Sequence, residues 1–457
     1  MVFSGEELLD QLEQHQITVT PYHVHVCLRL QVERIDISGS VVDSGVLETA
    51  NARTIRELSL YYGGCGNKAS KIYNFLSTAH NLTHLQCRDF CNDKMLEVVA
   101  QSCPNLRCLE LHACDVTNDG VLRLCGLNQD VRGCIEALVQ GQVIQPTSMC
   151  ARSLKQIKLT MTKITEAGVA IILLVLSGIE LLRVPDIKMN QLFNFIKELQ
   201  YANIQSNLLE FHSRDEMDEF QLSVLTKLCP NLEYIQVSFS GIPNIDASRL
   251  ACLTTLKNLK RAKFADLNNE ALVWFIRQVG RQISGLHLYT YHKKFADERL
   301  FMSRRDFQDL AEFCPNLSSL IIDGYVLNDT EMPMNGNLQY FTGLESLQLT
   351  SMCLSEDDLR VFLTYCKHMR DIDLTLRNPH VIHDGLIGQM LDSGCWKDLV
   401  KIKILHSPIT HNAICRMVAE CPLLQELGCC YTWLISKQQI CELKEKVMME
   451  NINLDIF

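Results

Sequence analysis

The sequence lacks any apolar run long enough to cross a bilayer. Its most apolar stretch, residues 168–179, spans about 12 residues and is followed by Glu180, so we expect a buried helix there. Residues 1–20 contain four acidic side chains and no long apolar segment, so a secretory signal peptide is not expected. We therefore expect a chain of the cytoplasm or nucleus without a membrane partner.

A surplus of positive charge is also missing. The chain has 43 Lys and Arg against 53 Asp and Glu, a formal net charge of −10. Phosphate affinity depends on surplus cations, so a nucleic-acid partner is not expected. With 22 Gly and 11 Pro among 457 residues, no collagen-like or linker-like composition dominates. The hydrophobic share of 47% is sufficient for a packed core.

Cysteine, in contrast, is abundant, with 21 residues. A secreted chain of this composition would suggest a disulfide framework, but no secretion signal is visible. In a reducing compartment the default state of these thiols is free.

One pattern recurs along the chain: an apolar residue, two variable residues, an apolar residue, one variable residue and another apolar residue. Omitting the three longest gaps, its copies are about 25 residues apart, which is the period of leucine-rich repeats. The last two apolar residues alternate along a short strand and should point inward. The middle residues of the clear copies are Leu58, Leu85, Leu109, Ile157, Leu182, Ile235, Ala262, Leu286, Leu320, Leu347, Ile372, Ile402 and Leu427, with weaker copies around residues 35 and 209.

A second signature marks the end of the helix that should precede each strand. A cysteine lies three residues before the first apolar residue of five strands, and proline follows four of these cysteines. Proline cannot donate to a continuing helix, so the chain should turn there. The five cysteines are Cys103, Cys229, Cys314, Cys366 and Cys421.

The predicted fold class is an α/β leucine-rich repeat solenoid, a horseshoe with an inner parallel sheet and outer helices. We predict an N-terminal cap helix and lead-in over residues 1–29, about 15 repeats over residues 30–430, and a C-terminal cap helix and tail over residues 431–457. The long interval between Leu109 and Ile157 predicts either one degenerate repeat or a helix with an excursion.

Three copies of Cys-Pro-Asn-Leu, beginning at Cys103, Cys229 and Cys314, resemble the cysteine-containing repeats of F-box/LRR proteins in the RNI-like superfamily. That family provides substrate receptors of cullin–RING ubiquitin ligases. The resemblance implies a role in the Ubl conjugation pathway and ubiquitin-dependent protein catabolism, with a Skp-type adaptor and cullin as partners. No Leu-Pro-led F-box precedes the repeats. Three interpretations stay open: a truncated gene product, a divergent adaptor user, or simply a binding protein.

Catalytic, metal and nucleotide chemistry has little support in the sequence. The group His84, Cys87 and Cys91 resembles a zinc set, as does the group Cys108, His112 and Cys114, but repeat phase already explains these thiols as buried. Residues 63–70 are glycine-rich yet depart from phosphate-loop spacing. No nucleophile motif is present. We expect no enzyme activity, metal or cofactor.

Side chains between and beside the inward apolar pairs should form parallel columns on the strand face. A ribbon of such strands, each about 4.8 Å from the next, suits a protein or peptide better than a small molecule. The predicted partner contacts form two clusters. The second cluster includes a basic segment that an acidic or phosphorylated peptide would match. The first cluster is Tyr61, Tyr62, Arg88, Glu110, His112 and Lys158; the second is His287, Tyr289, Tyr291, Lys293, Lys294, Arg304 and Arg305.

The sequence thus predicts a non-enzymatic protein-recognition module, and by resemblance the substrate-binding component of a ubiquitin ligase. Two alternatives stay open: a scaffold without a link to ubiquitin, and an activator of a small GTPase.

Overall fold

The structure is a computed structural model. It describes residues 20–43, 46–48, 50–61, 70–197, 205–239, 247–290, 301–327, 341–449 and 453–456. The chain divides into two compact units, Met1–Leu232 and Glu233–Phe457.

The described residues of the first unit form seven strands that follow one another in sequence order. Their pairing is parallel throughout, and from β1 to β6 each strand places its central apolar residue opposite that of the next, as Leu58 does with Leu85. The strands are β1 (Arg34–Ser38), β2 (Glu57–Tyr61), β3 (His84–Arg88), β4 (Cys108–His112), β5 (Gln156–Thr160), β6 (Leu181–Arg183) and β7 (Glu210–Glu216).

Helices connect these strands, as parallel pairing requires. They are α1 (Pro21–Arg29), α2 (Gly39–Asp43), α3 (Ser70–Ser77), α4 (Asp93–Ser102), α5 (Asn118–Cys125), α6 (Val131–Val139), α7 (Met149–Ser153), α8 (Glu166–Val175), α9 (Met189–Lys197) and α10 (Glu219–Leu228), with a 3₁₀ turn at Val46–Glu48.

The second unit repeats this organisation. Its strands are β8 (Tyr234–Ser238), β9 (Arg261–Ala265), β10 (Gly285–Tyr289), β11 (Phe301–Met302), β12 (Ser319–Asp323), β13 (Val326–Leu327), β14 (Ser346–Thr350), β15 (Asp371–Thr375), β16 (Lys401–Ile404), β17 (Glu426–Gly428) and β18 (Asp455–Ile456). All pair in parallel in sequence order except β11 and β13, which pair only with each other.

The helices of the second unit are α11 (Asn269–Val279), α12 (Arg304–Phe313), α13 (Glu356–Tyr365), α14 (Asp384–Asp392), α15 (His411–Glu420) and α16 (Lys437–Met449). Its 3₁₀ turns are Ala247–Thr255, Gly280–Gln282, Pro379–Val381 and Cys430–Thr432.

Alternation of apolar and polar residues explains the strands. In β2, Leu58 and Leu60 are each 1% exposed, while Ser59 and Tyr61 between and beside them are half-buried on the other face. Burying one leucine stabilises the fold by about 1.5–3 kcal/mol, and most of the described strands contribute a buried apolar pair. The inward face therefore holds each sheet against its helices and leaves the opposite face for polar side chains.

The five cysteines predicted at helix ends are all C-cap residues, on α4, α10, α12, α13 and α15. All five are buried with free thiols. Burial raises the pKa of the Cys103 thiol to about 12. In the Cys-Pro-Asn-Leu segments, the Asn105 side chain donates to the His80 carbonyl at 3.0 Å and Asn316 to the Arg281 carbonyl at 2.7 Å. The motif thus ends one helix and ties it to the preceding repeat.

Helix beginnings are also tied to the preceding repeat. Asp93, the first residue of α4, accepts hydrogen bonds from the Thr117 amide at 2.8 Å and hydroxyl at 2.7 Å. Asn118, the first residue of α5, accepts from the Thr165 amide at 2.9 Å. The first residue of each of these helices therefore binds the N-cap residue of a later helix.

These features confirm the predicted fold class: the chain is an α/β leucine-rich repeat solenoid. The long interval after Leu109 contains α5, α6 and α7, and β4 pairs directly with β5, so the helix with an excursion is the correct alternative. Residues 1–19 of the predicted N-terminal cap and lead-in lie outside the described residues. The domain boundaries at residues 30 and 430 stay predictions.

Candidate functional site

The strand register builds the predicted columns of side chains. In the first unit, Ser59 lies beside Gln86, Gln86 beside Glu110, and Glu110 beside Lys158. A second column runs through Tyr61, Arg88 and His112 by the same pairing. Five of the six residues predicted for the first cluster are thereby brought to one sheet face. The sixth, Tyr62, lies outside the described residues.

Tyr61, Gln86 and Arg88 form a connected group on β2 and β3. The Tyr61 hydroxyl donates to Gln86 Oε1 at 3.4 Å. The Arg88 guanidinium carbon lies 6.0 Å from the centre of the Tyr61 ring, at the outer limit of a cation–π contact. Gln86 was not a predicted contact, although its position in the first column indicated it. Such a group presents one aromatic face, one amide and one cation.

Glu110 and Lys158 form an ion pair across β4 and β5, with side chains 30% and 35% exposed. The sequence predicted both as partner contacts but did not predict that they would neutralise each other. His112 lies one strand from Arg88, and its Nδ1 is buried with no hydrogen-bond partner within the described ranges. An unsatisfied buried polar atom costs about 1–3 kcal/mol.

In the second unit, His287 and Tyr289 of β10 meet Lys263 of β9. The rings of His287 and Tyr289 are 5.2 Å apart between centroids, and Lys263 Nζ lies 4.8 Å from the centre of the Tyr289 ring. Burial, with a smaller contribution from the charge of Lys263, lowers the pKa of His287 to about 4. At neutral pH this imidazole is uncharged. Lys263 lies between the two inward apolar residues of β9, where the columns were predicted, but it was not predicted as a member of the second cluster.

The basic segment differs from the prediction in part. Tyr291, Lys293 and Lys294 lie outside the described residues. Arg305 is exposed, as expected. Arg304 is not: its Nε and Nη2 donate to the two carboxylate oxygens of Asp358 at 2.8 Å and 3.0 Å.

The Arg304 and Asp358 side chains are only 12% and 2% exposed. The expectation of an exposed charge at residue 304 is therefore wrong, because the first turns of α12 and α13 meet and bury the pair. Its role in partner binding, like that of the other predicted contacts, stays a prediction.

The cysteines considered for zinc are packed as core residues. Cys87, Cys91 and Cys114 are buried, and the Cys114 thiol donates to the Cys87 carbonyl at 3.5 Å. The side-chain hydrogen bond with Cys87, followed by burial, holds the pKa of Cys91 well above its usual range. Among the residues with a described placement, no group of three His, Cys, Asp or Glu side chains is arranged to hold a metal ion.

An open cavity of about 610 Å³ lies on the helix side of the first unit. Residues of α4 and α5 line it, together with Thr147 and Ser148. Glu97 and Arg123, both in its wall, pair with each other at 2.8 Å. The glycine-rich residues 63–70, considered above for nucleotides, fall almost wholly outside the described residues.

No helix in the described part of the chain has both the length and the apolar character that crossing a membrane requires.

Comparisons with known proteins add little to this description. No family model matches the chain, and no curated protein matches it. A leucine-rich repeat protein of Leptospira interrogans is similar with a TM-score of 0.37 and 12% identity, over 94% of this chain and 91% of that one. A chain of the yeast Rad7 and Elc1 complex is similar with a TM-score of 0.36 and 14% identity, over 97% of this chain and 85% of that one. Both scores are low, so the repeat class rests on the strands and register of this chain.

Proposed function

We propose that this chain is a non-enzymatic protein-recognition module that binds a partner through the polar face of its strands. The observation that carries the proposal is the continuous ladder of polar, aromatic and charged side chains that the parallel register creates in each unit. Tyrosine and arginine are favoured anchors of protein interfaces, and both occur on this face. A rigid sheet loses little conformational entropy on binding.

The partner chemistry follows from the same face. It is open, and its side chains are spaced by strand pairing over many repeats, which suits an extended peptide or protein surface. A small molecule prefers an enclosed and mostly apolar pocket.

The experiment is affinity capture with the full chain, followed by mass spectrometry. One variant carries Tyr61→Ala, Lys158→Glu and Tyr289→Ala on the strand face, and the control carries Arg132→Ala on α6, where the side chain is 86% exposed. We expect a set of proteins that the control retains and the face variant loses. Identical captured sets for the two variants would contradict the proposal.

We further propose that this recognition serves a cullin–RING ubiquitin ligase pathway, with this chain positioning the substrate and performing no chemistry. The support is the resemblance of the three Cys-Pro-Asn-Leu repeats to F-box/LRR proteins. Recovery of a Skp-type adaptor and a cullin with the chain is the expected result. Their absence from repeated captures that do contain other partners would favour the ubiquitin-independent scaffold.

A further inference from the structure

Arg88 is a cation of the strand face in the first unit that no described carboxylate neutralises. Glu57 of β2 lies 3.9 Å from Arg34, and Glu110 of β4 pairs with Lys158. Arg88 is exposed between these pairs, and no carboxylate lies within ion-pair distance of it in the described part of the chain, including that of the adjacent Asp89.

The neighbours of Arg88 favour an acceptor group at the same place. The Tyr61 ring lies 6.0 Å from the guanidinium and limits where it can turn. Gln86 uses its Oε1 for the Tyr61 hydroxyl, which leaves its amide group to donate elsewhere. On the next strand, His112 has a buried Nδ1 without a hydrogen-bond partner among the described residues. A turn of that ring would bring the nitrogen to an incoming acceptor and remove an unfavourable burial.

We infer that Arg88, with His112 beside it, binds the carboxylate of an aspartate or glutamate in an extended peptide segment of the partner protein. The inference rests on the proposed function and adds the chemistry of the partner at one place. Charge complementarity supports this occupant: the guanidinium fork matches a carboxylate in a bidentate arrangement, and the neighbouring ion pairs leave no acid to compete. Gln86 would donate to the backbone of the same peptide.

The test is selection of random 12-residue peptides displayed on phage against the full chain, followed by fluorescence polarisation with the enriched peptides. We expect enriched peptides to share an Asp or Glu. Arg88→Ala should weaken binding by about tenfold or more, because a hydrogen bond to a charged group contributes about 1.5–3 kcal/mol. The matched control is Arg107→Ala, an exposed arginine at the opposite end of the adjacent strand. It should stay within about twofold of the wild-type affinity, since its charge lies away from Arg88.

A double-mutant cycle makes the assignment specific. Replacing the shared acid of the peptide by its amide should weaken binding to the wild-type chain but cause little further loss with Arg88→Ala. Thermal unfolding of Arg88→Ala should match the wild type, because the side chain is exposed. Independent losses in the cycle would overturn the inference.

The two proposals fail in different ways. If peptides bind, and lose affinity with Tyr61→Ala, but lack an acid and ignore Arg88→Ala, the carboxylate site is wrong and strand-face recognition stands. If no enriched peptide responds to any strand-face variant, the proposed function itself is contradicted.

Discussion

Replacing Gly168 by alanine tests how the repeats are joined. Gly168 lies in the first turn of α8, and a Cβ there would be 2.4 Å from Asn118 Oδ1 and 2.8 Å from Ile164 Cγ2. Asn118 Oδ1 accepts from the Thr165 amide at 2.9 Å, and Asn118 Nδ2 donates to the Thr165 hydroxyl at 2.9 Å. The new methyl group must displace the Asn118 side chain and break both bonds.

The magnitude follows from two opposing effects. Two hydrogen bonds contribute about 1–3 kcal/mol together. Alanine in place of glycine within a helix stabilises the fold by about 0.5–1 kcal/mol. We expect Gly168→Ala to lower the free energy of unfolding by about 0–2.5 kcal/mol, with a middle value of about 1 kcal/mol, in urea denaturation followed by circular dichroism.

A control variant and a double variant test whether displacement of the Asn118 side chain is the cause of the lost stability. Gly388→Ala in α14 meets only the end of the flexible Arg416 side chain, at 3.0 Å, and should be neutral or stabilising. In a chain that carries Asn118→Ala, the obstructing oxygen is gone, and Gly168→Ala should cost about 1 kcal/mol less than in the wild type. Equal costs in the two backgrounds would refute the reasoning.

Three further predictions concern charge and thiol chemistry. Arg304→Ala should destabilise the fold by about 3–5 kcal/mol, because it leaves the buried Asp358 carboxylate unpaired, whereas Arg305→Ala should stay within about 0.5 kcal/mol in the same denaturation assay. In alkylation with iodoacetamide read by mass spectrometry, the exposed Cys441 should react before the five capping thiols, which should react only after unfolding; early labelling of a capping thiol would contradict the packing. The imidazole of His287 should titrate by NMR near pH 4. Because its folded pKa is lowered, the stability that it contributes is present above its ordinary pKa of about 6.5 and is lost as the pH falls from there to about 4.

The strands were predictable because the information lies within each repeat. Leu58 and Leu60 alternate on β2, and the same spacing recurs on almost every strand, so repetition supplied evidence that one segment alone could not. Helix starts can be local in the same way: Ser303 and Ser355 each lie three residues before an aspartate, the spacing of a capping box, and the structure has both boxes.

What could not be predicted depends on contacts between distant segments. Strand β18 has two residues, of which only Ile456 is apolar and buried, so its sequence cannot carry the repeat pattern. The strand is defined by its pairing with β17. Arg304 reads as part of a basic run, and its carboxylate partner lies 54 residues later in the chain. The pairing of Glu110 with Lys158 spans 48 residues for the same reason. Charge counts along the sequence cannot distinguish a free cation from a neutralised one.

Hydrogen bonds at three helix beginnings couple turns of the solenoid to one another. In the pairs Asp93 with Thr117, Asn118 with Thr165 and Asp384 with Thr410, the earlier residue is the acceptor and the later one provides the amide. Unfolding of either turn breaks these bonds, because each bond joins two segments that are far apart in the chain. Turns joined in this way should therefore open together rather than one at a time.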